Sequence, residues 1–581
     1  MTPGLLTLLI AIPLCGAAAV AAVDTRSERG LRAVGFGAML LVFLIAAWVW
    51  LRFVPGVAGL QFEERVPWVP GMGMTYHLGV DGLSVSLVAL VSFLFPIALA
   101  ASGEQVQDRV KPFVITLLLL EAGLLGTFLA QDLVLFYVFW EAMLIPMYFL
   151  IALWGGPGRG PAAIKFFIYT MAGSVLMLLA IIALYLASGR LPGGPTFDLP
   201  SLLAHPLGLA GSVETLLFLG FAVAFAIKMP VWPLHTWLPD AYAASPPVVT
   251  VLLAGLMAKA GAYGLLRFCL PLFPDASRSF GPLLSGLAVV GILYGGAIAW
   301  TQRDMRRLLA YGSMSHMGFI LLGIFALDTT ALQGSLIQMI NHGISTGALF
   351  ILAGLLLDRT GRARTEEYGG IAAVVPALSA VTLIVVLSSL ALPATNGFIG
   401  EFLILLGTFQ TRPAAAVVAT FGVVVAVAYL LGFVGRVFHG PVREELRGLP
   451  DLRPREYALL VPLVLVIFWT GLYPQPLLDR SASTVNAVLG RVSGAAASFA
   501  SPPPRSSPWG VREAGRTDSA YPSSPPSAYS PRGLAVLADG GLGPRPGLSA
   551  GHAVGTGPEA DSAGSKQPAE RLARGTRGVG R

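Results

Sequence analysis

Seven ionisable side chains lie inside otherwise apolar stretches about 20 residues long: Glu121, Glu141, Lys228, Lys259, His316, His342 and Glu401. Near the centre of a bilayer each such group costs at least about 2.5–3.5 kcal/mol on insertion scales. Seven of them in separate segments point to function, and what Glu, Lys and His share is proton exchange. Singly, each has a plainer reading. Glu141 and Lys228 can form a static ion pair that fixes helix packing, and such a pair is weak evidence for stability because desolvation offsets much of the attraction. His316 alone reads as a hydrogen-bonded core histidine, whereas His342, within Asn341-His342-Gly343 in mid-segment, reads as functional. Asp132 and Asp304 stand near segment ends, as helix caps or solvated charges.

The choice of base narrows the chemistry. Of 38 basic residues only five are lysine: Lys111, Lys165, Lys228, Lys259 and Lys566. Arginine cannot release its proton inside a protein, whereas a lysine in an apolar interior releases it far more readily than in water. Two of the five lysines fall deep within apolar segments, where arginine would only hold charge. Two segments are also interrupted: Lys228-Met229-Pro230-Val231-Trp232-Pro233 carries two prolines, and Leu392-Pro393-Ala394-Thr395-Asn396-Gly397 joins proline, asparagine and glycine. Proline removes a backbone donor and clashes with the preceding turn. Freed backbone groups are tolerated at membrane depth only against protein or water. Matching breaks at Pro230/Pro233 and Pro393/Gly397 therefore mark an ion path, as in transporters built from inverted repeats; bundle kinks are the plainer alternative.

The elements that must position these residues are membrane helices. Of 581 residues 55% are hydrophobic and 12% charged, about half the charge of a soluble chain. The apolar runs suit helices rather than a closed barrel, whose strands would alternate over about ten residues. Spans are expected at 3–23, 33–53, 81–101, 112–130, 132–154, 162–187, 213–236 (broken), 245–269, 281–300, 306–326, 331–357, 371–408 (broken), 414–438 and 457–474. The fold class is thus an all-α polytopic membrane protein of about fourteen helices. Two five-helix repeats, spans 4–8 and 9–13, are inverted because an odd number of spans reverses direction. The expected division is 1–111 for spans 1–3, 112–269 and 270–438 for the repeats, 439–500 for span 14 and its flank, and 501–581 for a disordered tail rich in Pro, Ser, Gly and Arg.

Roughly 18 Lys/Arg fall in loops after odd-numbered spans and about 6 after even-numbered ones, so the former should face the cytoplasm and both termini the outer side. The stretch Leu5–Val23 is preceded by no Lys or Arg and followed at once by another apolar helix, so it reads as an uncleaved span. The net charge of +7 belongs to these loops and does not suggest nucleic acid. Cys15 and Cys269 form no CxxC, and neither a haem motif, metal-ligand spacing nor a Rossmann fingerprint is present. His235 and Asp240 lack a third ligand. No cofactor or metal is expected on this chain, and electron transfer must occur elsewhere.

The segments quoted resemble a known family, the antiporter-like chains of respiratory complex I. AIKMPVWPLHTWLPDAY around Lys228 is similar to that family's broken-helix signature. FYVFWEAMLIPMYFLI around Glu141, DMRRLLAYGSMSHMGFI around His316, NHGISTGALFILAGLL around His342 and LPATNGFIGEFLILLG around Glu401 are similar to its chain M branch, counterpart of mitochondrial chain 4. The resemblance covers about 80–435. It implies a proton-translocating membrane subunit of NADH–quinone oxidoreductase in a bacterial plasma (inner) membrane. Its partners would be other membrane subunits, chiefly neighbouring antiporter-like chains, with NADH, FMN, Fe–S clusters and quinone held on other subunits. It assigns Glu141 and Lys228 to a first half-channel, Lys259 to a central relay, Glu401 to the end of a second half-channel, His316 and His342 to the connection, and Glu121 and Lys165 to accessory places. The sequence departs from the family at Tyr242 and Ala244, where His and Glu are frequent, and at Ala394, where glycine is common. A subunit of a multisubunit Na+/H+ antiporter or of a membrane-bound hydrogenase is the alternative, since both share the fold and most of the charges.

Overall fold

A computed structural model describes residues 4–494, apart from 193 and 206; the tail at 501–581 lies outside the described residues. Among those described, twelve helices are long and apolar enough to cross a bilayer, by length and composition. Two shorter apolar helices, Val85–Ala101 and Pro376–Ser389, stand where the third span and the first half of the twelfth are expected. Carboxylates close several helix starts. Asp132 accepts hydrogen bonds from Val134 and Leu135, Asp304 from Arg306 and Arg307, and Asp328 from Ala331, each satisfying donors that a first turn leaves free.

Burial sorts the helices into an inner and an outer set. The most apolar stretches of Pro247–Leu272, Met305–Phe325 and Thr329–Thr360 are 100%, 94% and 94% buried, against 39% for Arg159–Ser188 and 28% for Glu28–Arg52. Outer helices turn large apolar side chains outward, as Ile164, Ile168, Leu179 and Leu186 do, which suits a lipid solvent. The inner helices carry Lys259, His316 and His342. These three groups are therefore shielded by surrounding protein.

Both predicted breaks are present, and there is a third. Gly211–Lys228 ends at Lys228, and residues 229–237 form turns before the short helix Leu238–Ala244; the Trp232–Pro233 peptide is cis. The second break separates Pro376–Ser389 from Asn396–Thr411. The third divides the expected continuous span 132–154 into Leu133–Ala142 and Leu144–Trp154. Pro146 has no amide to return to the carbonyl of Ala142, so the ladder fails just past Glu141. The helix Pro247–Leu272 contains two π segments, Leu253–Met257 and Leu265–Cys269, on either side of Lys259; such wide turns are frequent at functional sites.

Two elements add to the expected all-helical chain. Residues Gln61–Val69 and Met74–Val80 pair as an antiparallel hairpin, with Arg65 opposite His77. The amphipathic helix Gln475–Val492 buries Leu477, Ser481, Thr484, Val485, Val488 and Val492, and Thr484 accepts the amide of Gly82 at 3.0 Å. Both lie at one end of the bundle. The basic loops meet at the other, where Arg303 pairs with Glu366 at 3.1 Å, Arg453 with Glu104 at 2.8 Å, and Arg362 with Glu445. Loops after spans 3, 9, 11 and 13 thus share one end.

Candidate functional site

Four predicted residues form a near-continuous series in the interior. Lys259 Nζ lies 2.5 Å from the carbonyl of Ala254, within the first π segment, and 2.5 Å from His342 Nδ1. A contact this short leaves room for one proton, so the ammonium donates to a neutral imidazole or the imidazole donates to a neutral amine. The rings of His342 and His316 are 5.8 Å apart between centroids. His316 Nδ1 then meets Glu401 Oε1 at 2.7 Å, and Gln338 donates to the same oxygen at 3.0 Å. All four are buried. Both histidines line a cavity of about 10 Å³, together with Gln338, Asn341, Ser345 and Ser388 among others, close to the ~10–15 Å³ that one water needs.

The other half is arranged differently from the expected ion pair. Lys228 does not touch the Glu141 carboxylate. Its ammonium sits 4.0 Å from the centroid of the Trp140 ring and 3.5 Å from the Trp140 carbonyl, a cation–π placement that offsets part of its desolvation. Glu141 Oε1 is buried without a protein partner, one residue before the break that Pro146 imposes. The helices bearing Lys228 and Lys259 pack together, with Gly261 against the main chain of Phe225 and Met229. Glu121 is fully buried, and neither of its carboxylate oxygens has a partner.

Lys165 stands apart from this series. It pairs with Asp240 at 2.8 Å, and Asp240 pairs also with Arg307 at 3.0 Å, all about a third or more exposed at the basic end. Burial pushes the Asp240 carboxyl up, but Lys165 and Arg307 outweigh it and hold it below the usual carboxylate range. Tyr242 is buried with its ring edge-on to Phe350 at 5.8 Å, and the carbonyl of Ala244 accepts the amide of Gly156 at 2.8 Å. The positions that depart from the family's usual His and Glu are thus packed into the protein.

The helix breaks are held by neutral polar groups that a search for charges passes over. At the second break, Asn341 donates to the carbonyl of Asn396 at 2.6 Å and Asn396 returns a bond to the carbonyl of Asn341 at 3.3 Å. Ser388 and Ser345 both donate to Asn396 Oδ1, at 2.5 and 3.1 Å. Pro393 and Gly397 flank this cluster. At the first break, which holds Pro230 and Pro233, Trp237 Nε1 donates to the carbonyl of Ile227 at 2.9 Å. Tyr429, 3.5 Å from His316 Nε2, completes the surroundings of Glu401. No group of three or more His, Cys, Asp or Glu able to hold a metal occurs among the described residues.

Residues 130–426 match the family model described as NADH:quinone oxidoreductase/Mrp antiporter, TM. Subunit M of NADH-quinone oxidoreductase from Pseudomonas aeruginosa is 42% identical over 495 residues, covering 83% of this chain and 96% of its own length. The same subunit from Escherichia coli K12 is 41% identical over 494 residues, covering 83% and 97%. A chain of respiratory complex I from Thermus thermophilus matches with a TM-score of 0.75 at 34% identity, over 84% of this chain and all of that one. A chain of the Mrp complex from Dietzia sp. shares the fold at a TM-score of 0.71 but only 23% identity, over 84% and 52%. The chain belongs to the subunit M family of NADH-quinone oxidoreductase, the antiporter-like, proton-translocating membrane subunits of respiratory complex I.

Proposed function

We propose that protons cross this subunit along Glu141, Lys228, Lys259, His342, His316 and Glu401, with Glu121 as an accessory carboxylate, and that the protein's inverted halves, spans 4–8 and 9–13, supply one half-channel each. The observation that carries this reading is the pair of short contacts Lys259–His342 and His316–Glu401, with a water-sized cavity lined by both histidines. A conformational or redox change on a neighbouring subunit alters the field at Glu141. While that carboxylate is charged, it helps to hold the Lys228 ammonium in its apolar surroundings. A unit charge at about 4–6 Å and an effective dielectric near 20 is worth roughly 3–4 kcal/mol, a change of about 10²–10³ in proton affinity. When that support weakens, Lys228 passes its proton to Lys259, which hands it through the two imidazoles to Glu401.

Lys165 has a different part in this reading. Its pair with Asp240 ties the basic end together and does not belong to the row. The partners are other membrane subunits of the complex, chiefly neighbouring antiporter-like chains, with NADH, FMN, Fe–S clusters and quinone carried elsewhere. The membrane is the bacterial plasma membrane, the basic loops facing the cytoplasm and both termini the outer side. The test is Lys228→Ala or Glu401→Ala in complex shown to be assembled, with proton translocation per electron measured in vesicles. A severalfold loss is expected for both; wild-type pumping in either would remove that residue from the path.

A further inference from the structure

We infer that Arg267, Asp81 and Tyr263 form a proton seal between the titratable row and the hairpin end of the bundle. On the fully buried helix Pro247–Leu272, Lys259, Tyr263 and Arg267 recur every four residues and so share a face, each about 6 Å beyond the last along the axis. Asp81 follows directly on the second hairpin strand. Arg267 Nη1 and Nη2 meet Asp81 Oδ2 and Oδ1 at 2.7 and 2.5 Å. Arg267 Nε donates to Tyr263 Oη at 3.0 Å, and Tyr263 Oη donates to the carbonyl of Phe128 at 3.2 Å. Asp81 Oδ1 also accepts the amides of Leu83 at 3.0 Å and Ser84 at 3.2 Å. The ring of Phe128 stands edge-on to Tyr263 at 5.1 Å.

Two features separate this layer from the row above it. In the row, Glu121 Oε1 and Oε2, Glu141 Oε1, His342 Nε2, Gln338 Oε1 and Asn341 Oδ1 are buried without a protein partner, which leaves donors and acceptors open to water. No buried polar atom of Asp81, Tyr263 or Arg267 is left in that state, so nothing there recruits a water wire. The base also changes type. Lysine occupies the place where a proton must come and go, whereas arginine, which cannot give its proton up, stands where passage must be refused. With the hairpin end closed beneath Lys259, a proton on that residue moves sideways to His342 and Glu401.

This inference deepens the proposed proton path, and its test is independent of pumping. Assembled complex is placed in vesicles with electron transfer blocked, and passive decay of an imposed pH gradient is followed. Arg267→Lys keeps the charge but loses the two-pronged grip on Asp81 and the bond to Tyr263, so a mere brace would show the change as a lower thermal transition with the membrane still tight. A seal shows it as a leak, because lysine exchanges protons, and decay is expected to quicken at least about threefold. Tyr263→Phe, which removes the hydroxyl between Arg267 and Phe128, should act in the same direction. Asp81→Asn combined with Arg267→Met, which opens the layer without stranding a charge, should leak most, roughly tenfold over wild type. Wild-type tightness of both Arg267→Lys and Tyr263→Phe overturns the seal, whatever the double variant does. Lys228→Ala and Glu401→Ala are expected to stay tight, so failure of the path and failure of the seal are read in different experiments.

Discussion

One proton fits between Lys259 and His342, and one between His316 and Glu401, because each contact joins two groups that cannot both donate into it. Such pairs hand a proton on by exchanging roles. Glu401→Gln keeps the shape and its bonds to Gln338 but cannot titrate, so NADH-driven proton uptake per assembled complex should fall severalfold. Gln338→Ala, which only loosens the orientation of Glu401, should cost less than about twofold in the same assay. Asp240 behaves otherwise. Its carboxyl is held below its ordinary range, so its ion pairs stabilise fully above the unfolded value near 3.9 and lose that effect as pH falls through the lower folded value. Asp240→Asn should therefore cost about 1 kcal/mol or less, given its partial exposure, and the cost should be constant between pH 6 and 8 in thermal unfolding.

The charged half of the site was legible because a carboxylate or ammonium in a long apolar run is rare and expensive. The neutral half was not. Gln338, Asn341, Ser345, Ser388 and Asn396 cost far less to bury, and polar residues of their kind recur through the spans without effect. Spacing held a usable signal: Gln338 precedes His342 by four residues and so shares its face. The contact between Lys228 and the Trp140 ring was also hidden, since the neighbouring Glu141 is the more obvious partner for a lysine.

At the scale of elements, interrupted helices bring the side chains to depth and surround them with polar groups. Hydropathy locates the spans well because about 20 apolar residues leave little ambiguity, and prolines gave away the breaks at Pro230 and Pro393. Pro146 carries the same signal more faintly, as a lone proline without the second proline, asparagine or glycine that mark the other two breaks. Hydropathy fails for the hairpin, whose strands of 9 and 7 residues are too short to register, the first also being charged, and for Gln475–Val492, whose apolar face is diluted by its polar one. Asn396 anchors the second break through four hydrogen bonds. Asn396→Ala removes the acceptor shared by Ser345 and Ser388, whose hydroxyls then keep only each other at 2.7 Å, and takes the side-chain donor from the Asn341 carbonyl; each unmet buried group costs about 1–3 kcal/mol. The expected outcome is a lower thermal transition of the complex, with pumping reduced in the fraction that assembles.

The bundle formed by the described residues is closed differently at its two ends. The basic end is a lattice of surface ion pairs, while the other is capped by the hairpin and the amphipathic helix. There, buried His77 stands 2.6 Å from Asp198 Oδ1 and 2.9 Å from Glu63 Oε1, and Arg65 reaches Asp198 Oδ2 at 3.1 Å. Burial pushes the Asp198 carboxyl up, but His77, Ser201 and Arg65 outweigh it and hold it low. Asp198→Asn should free the hairpin, destabilising the subunit by about 1–3 kcal/mol and raising amide exchange in residues 61–80 ahead of the helices. Such a change leaves the titratable row intact, so pumping per assembled complex should persist.

All of this depends on protons being released, and not merely attracted, at the middle of the bundle. Lys259→Arg separates the two, since arginine keeps the positive charge beside His342 but cannot part with its proton. In vesicles bearing assembled complex, proton translocation per electron should fall severalfold for Lys259→Arg, as it should for Lys259→Ala. Wild-type translocation with arginine at position 259 would contradict a proton path through this residue.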